Sequence, residues 1–205
     1  MKFDLTEQHL ATIEARRATA KEWFAAKSIE DFYATSEALP QEIAAWHEEA
    51  GRKRITDFLV DVAKQTERKY VVDIGCGLGH DLDALFDAGL TCFGVEPNYQ
   101  MRVMERRFPV EDCIENAPLE EADLIVLMDV LEHIENPETL VDAIAERVKP
   151  GTILVEHTPT WDMSDVLHLT ENYGWTMADH SDGWIRLNPP ESEVGIWQRV
   201  SVQSP

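Results

Sequence analysis

Positive charge is scarce in this chain: 18 Lys and Arg stand against 39 Asp and Glu in 205 residues, a formal net charge of -21. Nonspecific affinity for nucleic acid comes mostly from clustered Lys and Arg that release counterions from phosphates, so DNA and RNA are not expected partners. Cysteine is sparse as well. Cys76, Cys92 and Cys113 are odd in number and scattered, with no disulfide framework and no CxxC metal pair, which fits a reducing cytoplasm. Long apolar runs are missing: the longest, Leu124 to Met128, falls far short of the roughly 20 residues that span a bilayer. Met1-Lys2-Phe3-Asp4 opens no apolar export segment, so neither membrane insertion nor export is expected. The acidity fits a high-salt cytoplasm or a solubility bias equally. With 44% apolar residues, the composition is that of a soluble domain large enough to bury a core.

Glycine and proline are nearly absent from residues 1–65, where Pro40 and Gly51 stand alone. The apolar spacing there predicts helices over about 6–27, 30–37 and 40–64, with Gly51 a weak point in the third. This segment is read as an N-terminal helical cap, either packed on the main domain or acting as a lid. From residue 66 to 205 the texture changes to short β-branched runs alternating with helical stretches. Strands are predicted at 70–74, 91–95, 112–114, 124–128 and 152–155, and helices near 80–88, 99–107 and 137–147. Asn136 is an expected N-cap, followed by Pro137 at the first helical position. Of three later strand-like stretches, 175–178, 184–187 and 196–202, two are expected to form a terminal antiparallel hairpin. The fold class that follows is α/β: a Rossmann-like, doubly wound, mostly parallel sheet with that hairpin and the N-terminal cap.

Chemistry concentrates where strands end. Val71-Val72-Asp73-Ile74 runs into Gly75-Cys76-Gly77-Leu78-Gly79-His80, a turn whose glycines let a ligand lie against the main chain. The spacing is one residue short of the dinucleotide G-x-G-x-x-G. Glu96, at the end of the next strand, is placed to accept hydrogen bonds from ribose hydroxyls.

These residues resemble the class I S-adenosylmethionine-dependent methyltransferases. The likeness rests on Asp73-x-Gly75-x-Gly77-x-Gly79, Gly94-Val95-Glu96-Pro97-Asn98, Asp129-Val130-Leu131-Glu132-His133-Ile134-x-x-Pro137 and Val148-Lys149-Pro150-Gly151, over roughly residues 66–160. It departs at Thr152, where a second glycine is usual. The resemblance implies methyl transfer from S-adenosylmethionine, leaving S-adenosylhomocysteine, to a small-molecule acceptor through O or N. It implies a cofactor site of Asp73, Gly75, Cys76, Gly77, Gly79, Glu96, Pro97, Asn116, Ala117 and Asp129. Gly75 to Gly79 would follow the methionine part, Asp73 its amino group, Glu96 the ribose diol, and Asn116, or its neighbour Glu115, the adenine.

Asp129-x-x-Glu132-His133 carries three readings. It is a hydrogen-bonded loop scaffold, or His133 is a general base toward the acceptor, or the three side chains hold a divalent ion, as E-x-x-E-H segments do in ubiquinone-pathway O-methyltransferases and small-RNA 2′-O-methyltransferases. The first acid here is Asp, one methylene shorter. His133 is taken as the catalytic candidate, and no metal is assigned. Cys76 reads as packing filler and His157 as structural. Trp161, Trp175 and Trp184 are core or pocket wall. Trp46-His47-Glu48-Glu49 and Arg52 are a solvated face or close over the ligand, with Arg52 available to its carboxylate. No N/D-P-P-Y segment follows the fourth strand, which argues against nucleobase amino groups as acceptors. Two other functions stay open, a catalytically silent cofactor-binding partner and a protein methyltransferase; the residues do not speak to oligomeric state.

Overall fold

A computed structural model describes residues 7–49, 53–160, 165, 167–180 and 182–201. Among them, helices α1 (Glu7–Ala25), α2 (Ile29–Thr35), α3 (Leu39–Glu49) and α4 (Lys53–Gln65) precede a seven-stranded sheet. Ser28 starts α2, its hydroxyl accepting the Asp31 N–H at 3.1 Å. The strands are β1 (Tyr70–Ile74), β2 (Thr91–Val95), β3 (Val110–Glu111), β4 (Leu124–Met128), β5 (Ile153–His157), β6 (Trp184–Arg186) and β7 (Gly195–Arg199). Between them lie α5 (His80–Asp87), α6 (Tyr99–Arg102) and α7 (Pro137–Arg147).

The sheet order is β3-β2-β1-β4-β5-β7-β6. The first five strands run parallel and β7 is antiparallel to both β5 and β6. Alternate strand residues face opposite sides, so a sheet covered on both faces needs apolar residues throughout, and β4, LIVLM, is buried at every position. On one face Val72, Ile74, Ile125, Leu127 and Leu154 pack with Val141 and Ile144 of α7. On the other, Val71, Leu124, Val126, Ile153 and Val155 pack with Leu59, Val62 and Ala63 of α4 and Leu82 and Leu85 of α5. A third, smaller cluster joins Phe32 and Leu39 to Met101 and Leu167, with Trp23, Tyr33 and Ile43 against it. It sets α2 and α3 over the carboxyl edge of the sheet, where β1 and β4 diverge and ligands bind in such folds.

Several predicted elements differ. Over the stretch expected to be helical from 40 to 64, the described residues form α3 and α4, and residues 50–52 with Gly51 lie outside the described set. The strand expected at 112–114 is β3, two residues earlier, and 114–116 form a 3-10 turn because Asn116 N–H closes onto Cys113 O at 3.3 Å. The helix expected to reach 107 stops at Arg102. Of the three later strand-like stretches, the second and third form the expected antiparallel pair, β6 and β7, and the first gives way to a 3-10 turn at 177–180. Asn136 stands at the N-cap of α7 without a side-chain cap bond. Among the described residues no helix is long and apolar enough to cross a membrane.

Candidate active site

A cavity of about 1310 Å³ opens at the carboxyl ends of β1, β2, β4 and β5, beneath α1, α2 and α3. Single drug-sized ligands fill clefts of about 300–1,000 Å³, so this one has room for a cofactor and an acceptor together. After β1, Gly75, Gly77 and Gly79 all have positive φ, at 76°, 51° and 82°. They serve different ends. A Cβ on Gly77 would meet nothing nearer than Ile43 Cγ2 at 3.8 Å, so its bare face fronts the cavity. A Cβ on Gly75 would strike Val130 Cγ2 at 2.5 Å, and one on Gly79 would strike the Arg106 guanidinium, so these two are required by packing. Arg106 in turn donates to Gly77 O at 2.7 Å and Met101 O at 2.8 Å, pinning the turn.

Glu96, 4% exposed, ends β2 with its carboxylate accepting Gly77 N–H and Asn98 N–H, both at 2.8 Å. Burial pushes its carboxyl up, against the pull of those two amides and of Arg106 and Arg102. With one amide on each oxygen, each keeps further acceptor capacity toward the cavity. Asn98 is fully buried and donates to Tyr33 O at 3.0 Å and Ser36 O at 2.9 Å, tying the end of α2 to this strand end.

After β4, Asp129 adopts φ +58. Its N–H donates to His157 O at 2.9 Å, and its carboxylate bonds His157 Nδ1. The next turn is clamped from outside: Asn172 Nδ2 donates to Leu131, Glu132 and Ile134 carbonyls, and Leu169 N–H to Glu132 O at 3.0 Å. His133 Nδ1 lies 3.0 Å from Leu167 O. A carbonyl only accepts, which puts the proton on Nδ1 and leaves a lone pair on Nε2. Burial holds the His133 pKa below 6.5. Glu132, 1% exposed, differs from the scaffold picture because neither carboxylate oxygen has a hydrogen-bond partner. Burial, and then the Asp129 charge, push its carboxyl well above the usual range. Donor atoms of Glu132, His133 and His168 lie within 4.8 Å of one another, an N,N,O set of the kind a divalent ion takes. Asp129 turns to His157 and is not in that set, so the trio Asp129, Glu132 and His133 named from the sequence does not assemble.

Of the sequence candidates, Asp73, Gly75, Cys76, Gly77, Glu96, Pro97, Asp129 and His133 line the cavity together. Gly79 does not; it stands at the N-cap of α5. Asn116 and Ala117 do not either, because the 3-10 turn leaves Asn116 exposed and bonded to Asp112 and buries Ala117 in the core, while Asp112, Ile114 and Glu115 reach the cavity. Cys76 is buried, and burial raises its thiol well above 9, as filler requires. Trp184 is core and Trp175 packs against it; Trp161, Arg52 and the side chains of Trp46, Glu48 and Glu49 lie outside the described residues. His47 lines the cavity with its ring 4.7 Å from that of His80. Asn98 stood inside a quoted motif, but nothing local marked its reach to α2. Tyr33, Glu42, Arg106 and His168 carried no sequence signal, since only the fold brings them here.

The family profile described as a methyltransferase domain matches residues 45–200. The chain belongs to the methyltransferase domain family. The ubiquinone biosynthesis O-methyltransferase of Salmonella arizonae is 30% identical over 95 residues, 40% of this chain and 39% of that protein. The chain thus matches well under half the length of this curated relative. Among solved structures, the mitomycin 7-O-methyltransferase MmcR has a TM-score of 0.55 at 16% identity, over 96% of this chain and 69% of that one. The PH0226 protein of Pyrococcus horikoshii has 0.56 at 14%, over 73% and 91%. The sugar N-methyltransferase KedS8 of a Streptoalloteichus species has 0.51 at 14%, over 71% and 87%. At these identities the structures speak for the fold, which is the Rossmann-like class I methyltransferase fold expected from the sequence. The cavity of this methyltransferase domain sits at the sheet edge where β1 and β4 part.

Proposed function

We propose that this methyltransferase uses S-adenosylmethionine and acts on a small-molecule acceptor held between the sheet edge and α1–α3, which form its cap. The observation that carries the reading is the convergence of the bare Gly77 face, the Glu96 carboxylate and His133 on one cavity large enough for two ligands. The cofactor supplies, when bound, an electrophilic methyl group on a sulfonium. Gly75, Cys76 and Gly77 follow its methionine part, Asp73 holds the amino group, and Glu96 accepts from the ribose hydroxyls beside Pro97. The adenine edge belongs to Asp112, Ile114 and Glu115, because these reach the cavity where Asn116 does not. Asp129, bonded to His157, fixes the turn that carries His133. In-line methyl transfer requires alignment of the acceptor and exclusion of water, which the cap provides. His133 Nε2 takes the proton the acceptor gives up.

Calorimetry tests the reading. S-adenosylmethionine and S-adenosylhomocysteine are both expected to bind, and Glu96→Ala to weaken each by ~1–3 kcal/mol, as expected for hydrogen bonds to a charged acceptor. Absence of binding by the folded protein, or tighter binding of NAD, overturns it. Binding of both without turnover on any acceptor selects the catalytically silent partner instead.

A further inference from the structure

We infer that the acceptor is a protonated amine, held at the cap end of the cavity by Glu42, Glu132 and Asp165 beside the Tyr33 hydroxyl, and that the methyl group goes to nitrogen. The inference rests on the methyl-transfer reading above and narrows its substrate class.

Three buried polar groups lining this end of the cavity carry atoms without a hydrogen-bond partner: both carboxylate oxygens of Glu132, Oε2 of Glu42 and the Tyr33 hydroxyl. Among the described residues the nearest cation-capable group to Glu132 is His133 Nε2, 3.8 Å from its Oε1. Glu132 is 1% exposed and Glu42 9%. A buried carboxylate without a donor is costly, and an ammonium brings three N–H donors and a compensating charge. Asp165 adds a third acid, since its charge acts on both Glu42 and Tyr33. The arginine at this end, Arg16, stands 3.8 Å from Glu42 Oε1 with its side chain 54% exposed, too far out to neutralise the deeper acids.

Tyr33 reports what this field does to a phenol. Burial, and then Asp165, Glu132 and Glu42, push its hydroxyl well above 10. In transfer to an amine, positive charge leaves sulfur and arrives on nitrogen, where the acids stabilise it. The ammonium first gives one proton to His133 Nε2. The freed lone pair then forms the N–C bond while the C–S electron pair stays on sulfur, leaving a methylammonium and a neutral thioether. A divalent ion on Glu132, His133 and His168 is the competing occupant. It leaves Glu42 Oε2 and the Tyr33 hydroxyl still unpartnered.

The test is calorimetry on the S-adenosylhomocysteine-loaded protein at neutral pH, with benzylamine and 1,4-diaminobutane against benzyl alcohol and 1,4-butanediol, and with MnCl₂ in a parallel titration. At least one amine is expected to bind more than tenfold tighter than its alcohol. Glu132→Gln and Glu42→Gln are each expected to weaken it at least fivefold with S-adenosylhomocysteine affinity held within twofold; Glu42→Gln, nearer the rim, serves if the other variant does not fold. Amines no tighter than alcohols, amine binding indifferent to both substitutions, or stoichiometric Mn²⁺ that excludes the amine and is lost in His168→Ala, each overturns the inference. Failure to load S-adenosylhomocysteine at all is a separate outcome, which removes the methyl-transfer reading itself.

Discussion

At the scale of single residues, two neighbours in one turn have opposite consequences. Glu132 is ionisable and buried with no hydrogen bond to either carboxylate oxygen, and its folded pKa lies above the ordinary 4.5. Between 4.5 and that raised value the folded protein binds a proton that the unfolded chain does not, so stability falls as pH rises through the window. Glu132→Gln removes the charge at constant shape, and is expected to raise the melting temperature at pH 7.5 and flatten its dependence on pH, read by calorimetric scans from pH 5 to 8. A melting temperature lowered at all pH values would mean that the carboxylate has a protein partner. His133 is shifted the other way, with its neutral form favoured by burial. As the proposed base, it is active above its lowered pKa, so kcat is expected to fall as pH drops through that value, and this acidic limb to disappear in His133→Ala. The same variant is expected to lose about 10²–10⁴ in kcat, with S-adenosylhomocysteine affinity within twofold. The scaffold alternative predicts a lowered melting temperature with normal turnover per folded molecule.

At the scale of elements, the sequence was readable wherever local chemistry decides the outcome. The β1 run into glycines, the all-apolar β4 and the Asn136-Pro137 start of α7 each carry their own signal, and each forms where expected. The misses share a cause. β3 is two residues long and its partner β2 sets where it pairs, so local propensity had little to register. Helix α2 is attached by contacts more than 60 residues apart in sequence, Asn98 Nδ2 to the Tyr33 and Ser36 carbonyls. Asn98 also caps α6 through its side-chain oxygen and reaches Glu96 through its N–H. One residue thus joins Glu96, through its backbone N–H, to α2, through its side chain. Asn98→Ala leaves two buried carbonyls without donors, at ~1–3 kcal/mol each. The expected result is a lowered melting temperature, faster amide exchange in α2 than in β4, and weaker S-adenosylhomocysteine binding. Unchanged exchange in α2 would show that the apolar cluster of Phe32, Leu39 and Met101 suffices to hold the cap.

For the whole molecule, the alternation of strands and helices was enough to specify a doubly wound sheet, because parallel strands require crossovers and crossovers cover both faces. What it could not specify is which side chains meet across the carboxyl edge. Glu42, Tyr33, Glu132 and His168 come from three distant stretches, and their meeting depends on how the cap sits. The charge of -21 acts at this largest scale. Among the described residues several arginines are committed: Arg102 and Arg106 to backbone carbonyls near the Gly75–Gly79 turn, Arg107 to Asp83 and Asp87, and Arg147 to Glu120. These four are drawn away from any basic track along a phosphate backbone. Affinity from counterion release requires several free cations in a row, and it falls steeply with salt. A gel-shift titration at 150 mM salt with single-stranded and duplex RNA is therefore expected to show no complex at micromolar protein, with or without S-adenosylhomocysteine. Submicromolar binding that weakens as salt rises would mean that a basic surface assembles despite the net charge, and would move the acceptor from small molecules to RNA.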